Sequence, residues 1–414
     1  MPGSSPSASV PPTARGWVPL FVAVCLVAVN MRMTITGVGP LLDEIAADQG
    51  VNPAALGALA SVPLLVWAVI SPLAQAIADR IGLDATVSWS LVLLSAASVW
   101  RSIPGAMNLW IGTALIGAAL AITNVLIPAA IKRDFGRRVP LVMGVYSALI
   151  GASGALGAAI VAPVAHHETA SGPLGWRWAL VATAATVPVA LVLWAIVTRR
   201  RGSASSAHLA GTVRRRGSSA TWRVWRDPVA WCIACYMGSQ SWVFYIFATW
   251  LSPIDVSHGA DLVTAGFHVT LFHIFGILGS LLAPVLSRGA LTRLLPPLVP
   301  VASVAAAAGI VFLPGLLIAW YVLGGLACGL GLSLALTVIA QRSADAATAG
   351  AVSGMAQSFG YLLAAVGPIL FGWLYEASGS WNLPLLAFVI GGALQLAAGV
   401  ALLRERMALQ AGPR

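Results

Sequence analysis

Apolar residues along this chain gather into twelve blocks of membrane-crossing length, separated by short polar connections. A helix needs about 20 apolar residues to cross the hydrocarbon core. On that measure the spans fall at 17–40, 54–78, 85–101, 108–131, 140–164, 177–198, 229–251, 264–286, 294–313, 316–340, 350–374 and 383–403. The blocks are too long and too continuously apolar for barrel strands, and only helices or closed barrels satisfy their backbone in lipid. Tryptophans such as Trp17, Trp100, Trp250 and Trp381 mark block ends, where an interfacial aromatic belt is expected. The pattern predicts an all-α membrane protein of twelve transmembrane helices in two six-helix halves. The halves are 17–198 and 229–403, joined by the loop 199–228, with a disordered Ser/Pro-rich tail over 1–16 and a second tail over 404–414.

Composition narrows the class. Of 414 residues, 59% are hydrophobic and 9% charged, where a soluble protein carries about 25% charged residues. No sizeable soluble domain fits. A net charge of +10 could suggest a nucleic-acid partner, but the distribution of arginine argues against one. All 23 Lys and Arg residues except Arg32, Arg101 and Arg177 fall on the side of the N-terminus. The positive-inside rule then places both termini in the cytoplasm, in the plasma or inner membrane. The loop 199–228 carries eight arginines and one acid, Asp227, and reads as a solvated linker that touches membrane lipid. Four cysteines are too few for a disulfide framework. Cys232 and Cys235 form a C-x-x-C without a second ligand pair, so no metal site is expected. Motifs for a catalytic triad elbow, a zinc protease or a nucleotide-binding loop are missing, so neither an enzyme nor an ATP-driven pump is expected, and no cofactor. Transport of a small solute remains.

The polar residues inside the blocks are few. Arg32 lies past the middle of the first, where insertion costs about 2.5–3.5 kcal/mol. It is expected to face a polar cavity and to supply positive charge for a small anionic or strongly dipolar solute. Asn30 shares a helix face with Thr34 and Arg32 with Thr36, so only one of Asn30 and Arg32 is expected to touch the solute. Ser241, Tyr245 and Thr249 repeat at i+4 beside Gln240, and Ser353, Gln357 and Tyr361 make a second stripe. Asn124 lies four residues before Pro128, which frees a carbonyl there, so Asn124 is either a site residue or a local partner of that proline. The substrate-binding candidates are therefore Arg32, Asn30, Asn124, Gln240, Tyr245, Gln357 and Tyr361. All thirteen carboxylates fall outside the spans or at their edges. A proton as coupling ion would need His273, or Asp43, about three turns beyond Arg32 along one helix face. His273 could equally be a helix-interface histidine. Export of a drug-like compound, or a sensor that binds without flux, are the alternative readings.

Asp79-Arg80-Ile81-Gly82 between the second and third spans resembles the loop motif of the major facilitator superfamily, with Gln75 where its leading glycine stands. Asp79, Arg80 and Gly82 are then implied gating residues, and the major facilitator fold is implied with them. Further stretches are similar to the cyanate/2-nitroimidazole porter family (CynX/NimT type). They are Asn30-Met31-Arg32 with Gly39-Pro40-Leu41-Leu42; Asn124 to Pro128 with Lys132-Arg133-Asp134-Phe135; Gly238-Ser239-Gln240-Ser241 with Phe244-Tyr245; and Ser353-Gly354-Met355-Ala356-Gln357 with Gly360-Tyr361 and Gly367-Pro368. This resemblance implies a small-solute porter.

Overall fold

The structure, a computed structural model, describes residues 17–50, 53–170, 172–199, 223–287, 291–404 and 408. The tail 1–16, most of the basic loop and most of the tail after 404 lie outside the described residues. Twelve spans follow in order: Val18–Thr36, Pro53–Ile81, Leu83–Arg101, Ala106–Phe135, Val139–Ala165, a sixth made of Gly175–Ala182 and 187–199, Pro228–Ser257, Leu262–Leu286, Leu291–Phe312, Leu317–Gln341, Ala346–Ser378 and Asn382–Ala401. They are numbered span 1 to span 12 below. Span 7, diluted by Trp, Tyr, Ser and Gln, is the one span that a stretch of high hydropathy does not single out among the described residues.

Most helices overrun the 20-residue blocks. Span 11 holds 33 residues and span 7 holds 30. Two residues at or beyond the block edges prove to be buried, and the overrun accounts for the second. Arg101 is the last residue of span 3, and it is fully buried. Asp255 lies inside span 7 and is also fully buried. Span 1 is shorter than its block. It ends at Thr36, and the chain turns through Gly39–Leu41 into a separate helix, Leu42–Gln49. Asp43 is therefore not a continuation of the Arg32 face, and its side chain lies outside the described set. The short helix is tied to spans 5 and 6 by Glu44 with His166 (3.0 Å) and Asp48 with Arg177 (2.6 Å).

The packing differs between the two ends of the bundle. At the end bearing Arg80, Arg133 and Arg342, one apolar core runs through both halves, from Leu20 and Val27 to Met355 and Tyr361. At the opposite end the core divides. One cluster around Leu41, Val161 and Trp176 belongs to the first half, and one around Phe247, Tyr321 and Phe388 to the second. The halves therefore meet at the basic end and stand apart at the far end.

Candidate functional site

Between the halves lies a cavity of about 430 Å³. Its N-terminal wall comes from spans 1, 4 and 5, its C-terminal wall from spans 7, 8, 10 and 11. Among the described residues that line it, Arg32 is the one formal cation and no carboxylate appears.

Glycines position Arg32. On span 5, a side chain at Gly157 would run into the Met33 carbonyl and Thr36, so only hydrogen there lets spans 1 and 5 close up. Thr36 Oγ1 then donates to the Gly154 carbonyl at 2.8 Å. The Arg32 guanidinium reaches across to the other half, 5.6 Å from the Phe244 ring centre and 5.7 Å from that of Tyr245. Aromatic faces attract a cation, more strongly when water is scarce. Tyr245, Tyr361 and Tyr146 line the same cavity as Arg32. Dipoles and ring faces thus hold the charge without neutralising it.

Arg32, Asn124, Gln240, Tyr245, Gln357 and Tyr361 all line the cavity, and so does His273. Asn30 does not. It is fully buried on the other side of span 1, donating to the Leu26 carbonyl (2.8 Å) and accepting from Thr186 Oγ1 (2.8 Å). Thr186 belongs to the turn that interrupts span 6 ahead of Pro188, so Asn30 pins that break. Gln240 lines the cavity with its amide already committed: Nε2 donates to the Cys328 carbonyl (3.0 Å), and Oε1 accepts from Gln395 (2.7 Å). Gln357 crosses between halves. Its Nε2 donates to the Asn124 carbonyl at 2.9 Å, the carbonyl that Pro128 deprives of a helical partner. Thr113 is buried against its own helix at the Leu109 carbonyl. Tyr146 and Ser147, on the glycine-rich face of span 5, join the lining without having been singled out by sequence. The i+4 rule needs a second polar residue, and that face supplies glycines.

The contacts that close the basic end repeat the Pro128 device. Ser358, next to Gln357, donates to the Ala68 carbonyl at 2.5 Å, and Pro72 is the residue that frees it. Gly144 of span 5 lies against Pro284 and the Ser280 carbonyl of span 8. The Trp67 and Tyr361 rings meet across the seam with centres 4.5 Å apart. Gly354 lies on the Ser71 carbonyl and Gly350 on the Gln75 side chain, which donates to Asp79 at 2.6 Å. Arg80 is exposed beside it. Gly82 turns with φ of 91°, a conformation that favours glycine. Across that turn Asp84 pairs with Arg133 at 2.8 Å.

Comparison with known proteins agrees with this architecture. The Major Facilitator Superfamily matches residues 20–368. The chain is 36% identical to the 2-nitroimidazole transporter of Escherichia coli (strain K12) over 388 residues, 94% of this chain and 96% of that protein. It is 28% identical to the cyanate transport protein CynX of the same organism over 365 residues, 87% of this chain and 91% of that one. Among solved structures, the proton:xylose symporter XylE bound to 6-bromo-6-deoxy-D-glucose superimposes with a TM-score of 0.70 at 12% identity, covering 93% of this chain and 94% of the other. FucP in the outward conformation gives 0.67 at 13% identity, with 93% and 99% covered. At those identities the two structures speak to the fold alone.

Proposed function

Because the chain belongs to the Major Facilitator Superfamily, as a transporter of the CynX/NimT type, we propose that it moves a small planar solute, anionic or strongly dipolar, by alternating access. The observation that carries this reading is a single guanidinium in an aromatic-walled cavity with no lining carboxylate. A solute that brings negative charge supplies the missing partner, and charge-assisted hydrogen bonds of this kind are worth about 1.5–3 kcal/mol each. The walls of Phe244, Tyr245 and Tyr361 favour a flat outline. The relatives' names fit this chemistry: 2-nitroimidazole is flat and strongly dipolar, cyanate a small anion. A putative anionic 4-hydroxy-benzoate permease of Thauera aromatica aligns over 98 residues at 39% identity.

Arg32 is the proposed counter-charge. Tyr245, Tyr361 and the Asn124 side chain supply orienting hydrogen bonds, and Gln357 joins solute contact to the closed seam. Gln240 shapes the wall, and Asp79, Arg80 and Gly82 form the turn at the gate. Both termini lie in the cytoplasm of an inner or plasma membrane, supported by the arginine distribution, so the cavity opens outward and the basic end is the closed gate. The proton is the proposed coupling ion.

The test is uptake by proteoliposomes of labelled 2-nitroimidazole, cyanate and 4-hydroxybenzoate. Wild type accumulates at least one of them. Arg32→Ala abolishes that uptake, and Arg32→Lys keeps part of it. Unchanged uptake in Arg32→Ala would sink the counter-charge assignment.

A further inference from the structure

Span 7 runs past its apolar block, through Pro253 to Ser257, and carries Asp255 into the packed far end of the second half. The carboxylate has no exposed surface. Its Oδ2 lies 2.6 Å from Nδ1 of His268 on span 8. Its Oδ1 is buried and has no hydrogen-bond partner. Beside it stands Tyr321 of span 10, whose hydroxyl has given its hydrogen to the Leu251 carbonyl at 2.9 Å. The hydroxyl also stands beside the Asp255 carboxyl, close enough to share a hydrogen bond with it.

An anionic oxygen without a donor in an apolar wall is costly, and the neutral form avoids that penalty. A proton on the carboxyl cancels that charge. His268 is the outer member of the pair, because its side chain keeps 12% exposure while Asp255 has none. The route is short: the imidazole takes up a proton at Nε2, its Nδ1 proton passes along the 2.6 Å contact to Oδ2, and the neutral ring then accepts from the new carboxyl at Nδ1. Release follows the same path back.

We propose that Asp255, His268 and Tyr321 form a proton-binding site whose occupancy is coupled to transport. The proposal rests on the transport reading above and names the ion's seat. Its position suits that role. Asp255 is ten residues, about 15 Å, beyond Tyr245 on span 7, and His268 is five residues, about 7.5 Å, before His273 on span 8. The helices that line the cavity thus also hold the proton. The site lies at the end where the halves stand apart and must approach each other to occlude the solute. Bringing a lone buried anion into that closure is penalised, whereas the neutral carboxyl closes freely. The titratable groups around it among the described residues are His268 from span 8, Tyr321 from span 10, His258 at the end of span 7, Asp261 in the connection to span 8, and Tyr375 and Glu376 at the far end of span 11. Span 12 carries no titratable residue, and span 9 carries only Arg293, at the opposite end.

Two measurements on the full-length reconstituted protein decide the matter. Infrared difference spectra over the range in which carboxyl and imidazole groups titrate should show the C=O stretch of a protonated carboxyl. Asp255→Asn should remove that band. His268→Gln and Tyr321→Phe should shift its midpoint while keeping it. In proteoliposomes, accumulation of labelled 2-nitroimidazole driven by an inward proton gradient should be lost in Asp255→Asn and His268→Gln, with counterflow exchange at equal pH retained. Retained accumulation in either variant overturns the proposal, as does a spectrum without an Asp255-dependent carboxyl band. His268→Gln keeps an amide donor for Oδ2, so it still decides if Asp255→Asn fails to fold. Should wild type move none of the probe, the solute reading above falls, and the infrared band alone rules on the proton site.

Discussion

Arg32 and Arg101 both contact span 1 inside the bundle, yet their surroundings are opposite in kind. Arg101 ends span 3, and its Nη1 donates to the Thr34 carbonyl at 2.6 Å, in the last turn of span 1. Two helix C-termini, each carrying a partial negative charge, therefore converge on it. A side chain at Gly112 of span 4 would strike the Arg101 backbone, so the wall is shut around it. Arg32 meets ring faces, hydroxyls and open space. The difference teaches that a buried charge points to a ligand where it faces open space, and to structure where the wall is shut around it.

The sharpest way to break this comparison is to remove each charge with little loss of volume. Arg32→Met should cut solute uptake about 30-fold or more, the equivalent of about 2 kcal/mol or more of lost charge pairing, with little change in melting temperature. Arg101→Met should do the reverse: uptake survives, and stability falls by about 1–3 kcal/mol, the range for a broken buried hydrogen bond. The fall is limited because Nε and Nη2 of Arg101 are buried without partners, and the apolar side chain relieves them. Paired transport and thermal-melt measurements check both. Equal transport defects in the two variants would end the distinction.

A smaller effect separates the two glutamines in the same way. Gln357→Leu breaks a bond between halves and should move the conformational balance toward opening of the basic end by about fivefold, for about 1 kcal/mol. Gln240→Leu breaks bonds within one half and should lower the melting temperature while leaving that balance in place. Cysteine pairs across the seam between spans 2 and 11 report the balance. The smallest effect belongs to the third arginine away from the basic end. Arg177 holds the Asp48 carboxyl below its ordinary range at the exposed far surface. Because the folded value is depressed, the pair stabilises the fold above the unfolded carboxyl value, and the contribution fades as acid protonates Asp48 through the lowered one. Water screens an exposed pair, so Asp48→Asn should flatten the acid limb of a stability–pH curve by less than about 1 kcal/mol.

The spans were legible because hydrocarbon thickness imposes one length on every crossing. Arg32 was legible because charge is rare there, and Tyr245, Gln357 and Tyr361 because i+4 repeats share a face. Asp255 was hidden by the same length rule, because span 7 extends beyond its apolar block and polar residues past the edge look like connections. Arg101 was hidden at the block's edge, where a terminal arginine looks like a solvated flank. Asn30 misled for another reason: a polar residue next to a cavity residue in sequence points about 200° away from it two positions on, and here it found Thr186. Tyr146 gave no signal because the lining residues one and two turns further along span 5 are Ile150, Gly151 and Gly154, which extend no polar stripe.

The proline-freed carbonyls of Ala68 and Asn124 have a consequence for reversibility. A seam of interlocked oily side chains would expose a wet scar each time it parted. Here two of the fasteners are acceptors that their own helices cannot satisfy, held by Ser358 and Gln357. When the halves separate, water takes over each post at nearly the same strength, and leaves as readily when they return. The joint works like a hinge pin that solvent can stand in for, so the chain can pass between its two shapes many times without either becoming a trap.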